Sequence, residues 1–130
     1  MYLLDTNTLI YYFKGMGNVS KNLLSQSPQD ISIPSIVIFE LEVGIAKSTS
    51  PHKRIKQLHE LVSLVNIIPF GENEAKVSAG IRAKLEKQGT PIGPYDLLIG
   101  GTAMANQAIL VSRNTSEFER IKKLQLENWY

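Results

Sequence analysis

The sequence predicts an α/β fold, a three-layer α/β/α sandwich with a mostly parallel central sheet, formed by residues 1–130 as one domain. Two observations lead there. Short apolar runs alternate with longer segments of helical periodicity, and a crossover helix must return the chain to the same end of a sheet before the next parallel strand. The runs are apolar at nearly every position, as in strands covered on both faces.

The first run is Tyr2-Leu3-Leu4, followed by helical periodicity over Thr8–Phe13 and Val19–Ser27. A second run, Ile31-Ser32-Ile33, leads into helices expected over Ile36–Lys47 and His52–Leu64. Val65-Asn66-Ile67-Ile68 is the third, with helices expected at Glu74–Gln88 and Asp96–Asn106. Ile109-Leu110-Val111 is the fourth, then a helix over Glu117–Lys122 and a weaker strand at Leu124-Gln125-Leu126. Each run is bounded by a turn or capping residue. No repeat, low-complexity tract or long linker divides the chain.

Composition narrows the function classes. An apolar fraction of 43% with 20% charged residues is that of ordinary globular proteins, which excludes disordered and fibrous chains. Cysteine is absent, so any metal must be held by oxygen or histidine, and a reducing, cytoplasmic setting is expected. No leader-like or membrane-spanning run is expected from the sequence, and no membrane partner. A net charge of +2 does not by itself point to nucleic acid. Basic residues do gather at Lys47, Lys53, Arg54 and Lys56, at Arg82, Lys84 and Lys87, and at Arg113, Arg120, Lys122 and Lys123. Such runs are usually solvated faces, though some can track a phosphate backbone. His52 and His59 stand in a polar helix without zinc-ligand spacing and read as surface residues.

Chemistry is concentrated in the acids. Asp5 closes the first strand, where ligands of parallel sheets bind, but Asp5 or Asn7 serves equally well as a helix cap. Glu40 lies on a helix beside Ile36, Val37, Val43 and Gly44. A lone buried carboxylate there costs several kcal/mol or is neutralised by a pKa shift, which favours a cationic partner over an ordinary surface position. Asp96 falls in the first turn of a helix, where the dipole alone favours an acid. Jointly, three acids at strand ends and helix starts suit a hard divalent cation, and they are expected to converge on one pocket. Ser112-Arg113-Asn114-Thr115-Ser116-Glu117 follows another strand end and reads alternatively as a turn with a cap at Ser116.

The ordered set Leu4-Asp5-Thr6-Asn7, Glu40-Leu41 with Gly44, Pro91 through Ile99, Ser112-Arg113-Asn114, Glu117-Phe118 and Glu127-Asn128-Trp129 resembles the VapC-type PIN domain, over nearly the whole chain. The resemblance implies a magnesium- or manganese-dependent endoribonuclease, the toxin of a toxin–antitoxin pair. Its acidic positions match Asp5, Glu40 and Asp96, with Asp5 and Asp96 as metal ligands. The family's fourth position falls between Asn114 and Glu117. If Asn114 fills it, it offers a neutral amide oxygen, and a second cation is then expected to bind weakly. Thr6 is an auxiliary candidate, and Arg82 and Arg113 are candidates for positioning RNA phosphate. In-line attack by an activated water is expected to leave a 3′-hydroxyl and a 5′-phosphate. Implied partners are RNA, a co-encoded VapB-type antitoxin, a second copy of the chain, and DNA only through the antitoxin. Apolar residues near the N-terminus, among them Tyr11, Tyr12, Phe13, Leu23, Leu24 and Ile45, are more than one small core is expected to absorb and give the same expectation of a dimer and a peptide groove. The resemblance offers no role for Gly100-Gly101, where relatives often carry Ala.

Two other readings compete with this one. A receiver-like phosphoacceptor domain needs an acidic pair after the first strand, and only Asp5 stands there. A non-catalytic adaptor of PIN shape has no need for Asp5, Glu40 and Asp96 together.

Overall fold

A computed structural model describes all 130 residues. Five strands form one sheet: β1 (Tyr2–Leu4), β2 (Ile31–Pro34), β3 (Asn66–Ile68), β4 (Ile109–Val111) and β5 (Leu126–Glu127). Their spatial order is β3-β2-β1-β4-β5, and every pairing is parallel. The chain winds from β1 through β2 to β3 on one side, then places β4 and β5 on the other. The gap beyond the carboxyl ends of β1 and β4 is therefore the topological switch point, where open α/β sheets bind ligands.

Seven helices cover the sheet: α1 (Thr6–Lys14), α2 (Val19–Leu24), α3 (Ser35–Lys47), α4 (His52–Val62), α5 (Glu72–Lys87), α6 (Pro94–Ala105) and α7 (Thr115–Phe118). The core is a single apolar cluster that includes Leu3, Leu4, Ile31, Ile33, Leu110 and Val111 from the strands. Against them pack Leu9 and Phe13 of α1, Val37 and Leu41 of α3, Ile99 and Ala103 of α6, and Phe118. Leu3, Leu4, Leu110 and Val111 are fully buried, which explains why consecutive rather than alternate positions are apolar. No helix is long and apolar enough to cross a membrane.

Three departures from the sequence reading have a local cause, and the other boundaries shift by no more than two residues. Helix α2 stops at Leu24 and not at Ser27, because Pro28 opens a 3-10 turn over Pro28–Asp30 that delivers the chain to β2. Helix α7 starts at Thr115 and lasts one turn, with Asn114 and not Ser116 at its N-cap position. The last strand begins at Leu126, two residues late, because Lys123 takes a left-handed conformation with φ of 69° and turns the chain first.

Gly100 and Gly101 find a packing role. A Cβ on Gly101 would stand 1.9 Å from Ser78 Oγ and 2.8 Å from Ser78 Cβ, and one on Gly100 would stand 2.7 Å from Ile121 Cδ1. Helix α6 therefore lies against α5 at a separation that only glycine permits. Gly101→Ala gains about 1 kcal/mol in helix propensity but overpacks a backbone-to-backbone contact, typically at about 1–3 kcal/mol. We expect the clash to win, so that thermal denaturation shows a lowered midpoint for Gly101→Ala; an unchanged or raised midpoint contradicts the packing role.

Candidate active site

The carboxyl ends of β1 and β4 deliver two segments side by side. Asp5 follows β1, and its backbone N–H donates to Val111 O at 3.2 Å, which ties it to the end of β4. Its side chain accepts from Thr8 N at 2.9 Å, so Asp5 is the N-cap of α1. The capping reading is thus correct, and it occupies only part of the carboxylate. Asp5 is 4% exposed, and burial raises its pKa against the opposing hydrogen bonds from Ser112 and Thr8.

Ser112 was assigned no role by sequence reasoning. Fully buried directly after β4, it accepts from Asn114 N at 2.9 Å while its hydroxyl serves Asp5. A serine following a buried strand at a sheet's switch point was the available signal.

Asp96 enters from the first turn of α6, after Gly93 and Pro94 have set the helix start. Its pKa is pushed up to about 6, first by burial, then by the negative charges of Asp5 and Glu117. Asn114 Nδ2 donates to Asp96 Oδ2 at 3.2 Å and to Glu117 Oε2 at 2.6 Å. Asn114 thereby presents its amide nitrogen to the acids, where an amide oxygen was expected. That orientation suits a pair of carboxylates, and rotation of the amide would exchange nitrogen for oxygen. Glu117 is half-buried at the same place, while its neighbour Phe118 is fully in the core.

Glu40 reaches the site differently. Its Oε1 accepts from the Thr6 hydroxyl at 2.7 Å, so Thr6 is the link between α3 and the loop that carries Asp5. The expectation that Asp5, Glu40 and Asp96 present three carboxylates to one point is not met by the side-chain positions. No three acidic or histidine side chains stand together in ligand geometry. Glu40 is turned onto Thr6, and Glu117 onto Asn114. Asp5 and Asp96 repel one another directly, with Glu117 adjoining Asp96.

The two arginines singled out as phosphate positioners are placed apart from this cluster. Arg82 is exposed on α5 and pairs with Glu86 at 3.3 Å, beside a groove lined by Pro91, Ile92, Leu97 and Leu98. Arg113 neighbours Asn114 in sequence, but its guanidinium lies 3.7 Å from the ring centre of Tyr130 and 5.6 Å from that of Tyr11. Both histidines are exposed on α4.

The donor set fits a hard divalent cation. Every group in the cluster is an oxygen or amide donor, and no lysine or arginine pairs with any of the acids, since the chain's ion pairs are Lys76–Glu72 and Arg82–Glu86. A buried Asp5 and a half-buried Asp96, the first raised in pKa by burial and the second by burial and neighbouring acids, with no basic partner, are carboxylates a cation would stabilise.

The PIN-domain family model matches residues 2–124. The chain belongs to the PIN-domain family. Its relatives within that family are of VapC type. One is the tRNA(fMet)-specific endonuclease VapC of Salmonella typhimurium, 32% identical over 98% of this chain and 97% of its own. Another is the ribonuclease VapC2 of Rickettsia felis, 36% identical over 99% of this chain and 98% of its own. Among solved structures, VapBC2 from Rickettsia felis bound to a promoter DNA fragment superposes with a TM-score of 0.92 at 37% identity, covering 99% of this chain and 98% of that one. The PIN architecture, not the receiver architecture, is therefore the one this sequence encodes.

Proposed function

We propose that the chain is a magnesium- or manganese-dependent endoribonuclease, hydrolysing RNA phosphodiester bonds as the toxin of a toxin–antitoxin pair. The observation that supports it most is the Asp5–Asp96 pair at the sheet's switch point, Asp5 buried and Asp96 half-buried beside its negative charge, without a basic partner. The nuclease names of relatives aligned over the whole chain support the same reaction class.

Asp5 and Asp96 would hold the cation, with Glu117 and Asn114 beside Asp96 as auxiliary groups. A bound divalent ion supplies charge for a phosphodiester oxygen and acidity for an attacking water. The remaining work falls to the chain. Thr6 donates to Glu40 Oε1 and leaves Oε2 of that carboxylate for a water or a proton at the reacting phosphate. Thr8 and Ser112 hold the Asp5 carboxylate in place by hydrogen bonds, which orients a would-be ligand. Attack by water at phosphorus with departure of the 3′-oxygen yields a 3′-hydroxyl and a 5′-phosphate. The test is an RNA cleavage assay with chelator, then with magnesium or manganese added back. Cleavage that is lost with chelator and restored by either ion supports the proposal; metal binding with no cleavage of any RNA favours the adaptor reading.

The auxiliary position allows a graded expectation. Glu117→Ala should lower cleavage by roughly 10-fold, in the range of supporting groups around a metal. Asn114→Asp should tighten manganese binding, because charge count sets affinity for hard cations. If Asn114→Asp leaves affinity unchanged and Glu117→Ala is as damaging as Asp5→Asn, Glu117 is itself a full metal ligand.

The antitoxin reading draws on the solved VapBC complexes, which pair the VapC relatives with a second protein. Most of the N-terminal apolar residues are absorbed by the core, since Phe13 and Leu23 are buried and Tyr11, Tyr12 and Ile45 are half-buried. Leu24 is the exception at 74% exposed, and with Leu64 at 65% it edges a groove between α1, α2 and α4 that also includes Tyr12, Phe13 and Leu61. That groove suits the apolar face of a partner helix. A separate exposed face, Phe39, Val43 and Tyr95, adjoins Glu40 and Asp96 and would receive a second copy in a homodimer. Antitoxin control and dimerisation belong to the cytoplasmic role proposed here, with DNA reached only through the antitoxin.

A further inference from the structure

One basic cluster is left without a role by the carboxylate site. Lys53 and Arg54 lie in the first turn of α4, and Lys14 closes α1. With Ser48, Ser50 and Gln57 they line a polar cavity of about 430 Å³, whose one large apolar wall is Phe13. A second groove of about 220 Å³ shares Lys14, Ser48 and Arg54 with it and continues past Ile45, Gly44 and Leu41 to Glu40. The two grooves thus share three lining residues, with Glu40 bordering one and the basic cluster the other.

Arg54 stands where the two grooves meet. Its guanidinium lies over the Phe13 ring, 4.8 Å from the ring centre. It pairs with no acid, and its Nη1 is buried with no hydrogen-bond partner. An unpartnered guanidinium nitrogen shut off from water is costly, because the group loses hydration without replacement. Lys14 and Lys53 likewise make no ion pair, so three positive charges face one cavity uncompensated. The hydroxyls of Ser48 and Ser50 and the Gln57 amide add neutral donors, though Gln57 Nε2 already donates to Phe13 O at 3.1 Å. The wall of the connecting groove is open at Gly44, where a Cβ would meet nothing within 4 Å.

We propose that Lys14, Ser50, Lys53 and Arg54 form a phosphate-binding subsite that holds the RNA backbone to one side of the bond cut at the carboxylates. The ligand chemistry is a phosphodiester anion: several converging cations and hydroxyls, with a planar guanidinium able to grip two oxygens. Glu40 and Arg54 line the same groove, so a strand anchored on Arg54 is led along it toward Glu40. The subsite positions substrate and performs no chemistry. It rests on the reading of the chain as a ribonuclease, and binding measured without cleavage separates the two.

The test uses the full chain in an Asp96→Asn background and a short fluorescein-labelled oligouridylate, followed by anisotropy over a salt series. Losing one phosphate contact on single-stranded RNA should reduce the slope of log K against log salt by about 0.7, which near physiological salt is roughly a fourfold loss of affinity. Arg54→Ala and Lys53→Ala should each show both effects, Arg54→Lys a smaller one, and Lys56→Ala, on α4 but outside the cavity, neither. Equal affinity and slope in all variants overturns the subsite, as does an affinity loss without a slope change. If Arg54→Ala lowers the melting temperature, the exposed Lys14→Gln and Lys53→Gln variants decide by the same criterion. Dependence on these residues for antitoxin binding but not for oligouridylate also overturns it, in favour of an acidic peptide. If the unmodified chain cleaves RNA while Arg54→Ala binds normally, the subsite fails and the nuclease reading stands. Oligouridylate binding through these residues by a chain that cuts no RNA leaves the subsite standing and removes the nuclease.

Discussion

Asp96→Asn and Asp5→Asn should each reduce RNA cleavage by at least roughly 10²–10³-fold, the cost of removing one preorganised electrostatic group from a reacting centre. Neither variant should unfold. Asn replaces Asp as an N-cap with little loss, so the bond from Thr8 N to position 5 survives in Asp5→Asn. At position 96 the substitution removes a charge that Asp5 and Glu117 oppose. The metal-free Asp96→Asn protein should therefore melt at a higher temperature than the unmodified chain above pH 6. Loss of cleavage with gain of stability is the signature of a strained functional site. A destabilised Asp96→Asn protein would mean that the carboxylate serves the fold instead. Circular dichroism melts beside a gel-based cleavage assay measure both quantities on the same preparations.

The second large effect is on pH. With its pKa raised to about 6, Asp96 is protonated in the folded, metal-free protein over a range where the unfolded chain has already released that proton. The folded state then binds more protons than the unfolded state, so stability falls as pH rises from about 4 through about 6. Asp5, also raised, contributes in the same direction. Cleavage should run oppositely. The ionised carboxylate is the metal-holding form, so activity at limiting metal should fall about tenfold per pH unit below the Asp96 value. Raising the manganese concentration should move that acidic limb to lower pH, because cation and proton compete for one carboxylate. An acidic limb unmoved by metal concentration would separate the titrating group from the metal site. Stability that rises with pH over this window would show that burial and repulsion do not govern Asp96.

Much of this was legible in the sequence because burial on both faces leaves a strong mark. Tyr2-Leu3-Leu4 and Ile109-Leu110-Val111 are apolar throughout, and a polar residue directly after each falls at the sheet end by necessity. The sequence alone therefore places Asp5 and the Ser112–Asn114 turn at one edge of the sheet. What remained hidden was set by tertiary contacts. The Thr6–Glu40 hydrogen bond joins residues 34 apart, and no local pattern encodes it. The amide orientation of Asn114 follows from two acids that belong to different segments of the chain. Gly100-Gly101 has no role legible in the sequence because the reasons for the two glycines, Ile121 and Ser78, lie on other segments of the chain. The short final strand was misplaced by the left-handed turn at Lys123, a residue type that gives no warning of it. Arg54 was visible only as one charge among several. Its lack of a partner is a property of the cavity.

A cation held between Asp5 and Asp96 is tested most directly by isothermal titration of manganese into the unmodified chain, Asp5→Asn and Asp96→Asn at pH 7.5. The arrangement predicts one saturable site in the unmodified chain, with proton release on binding, and loss of that site in both variants. Equal manganese affinity in all three proteins would contradict it.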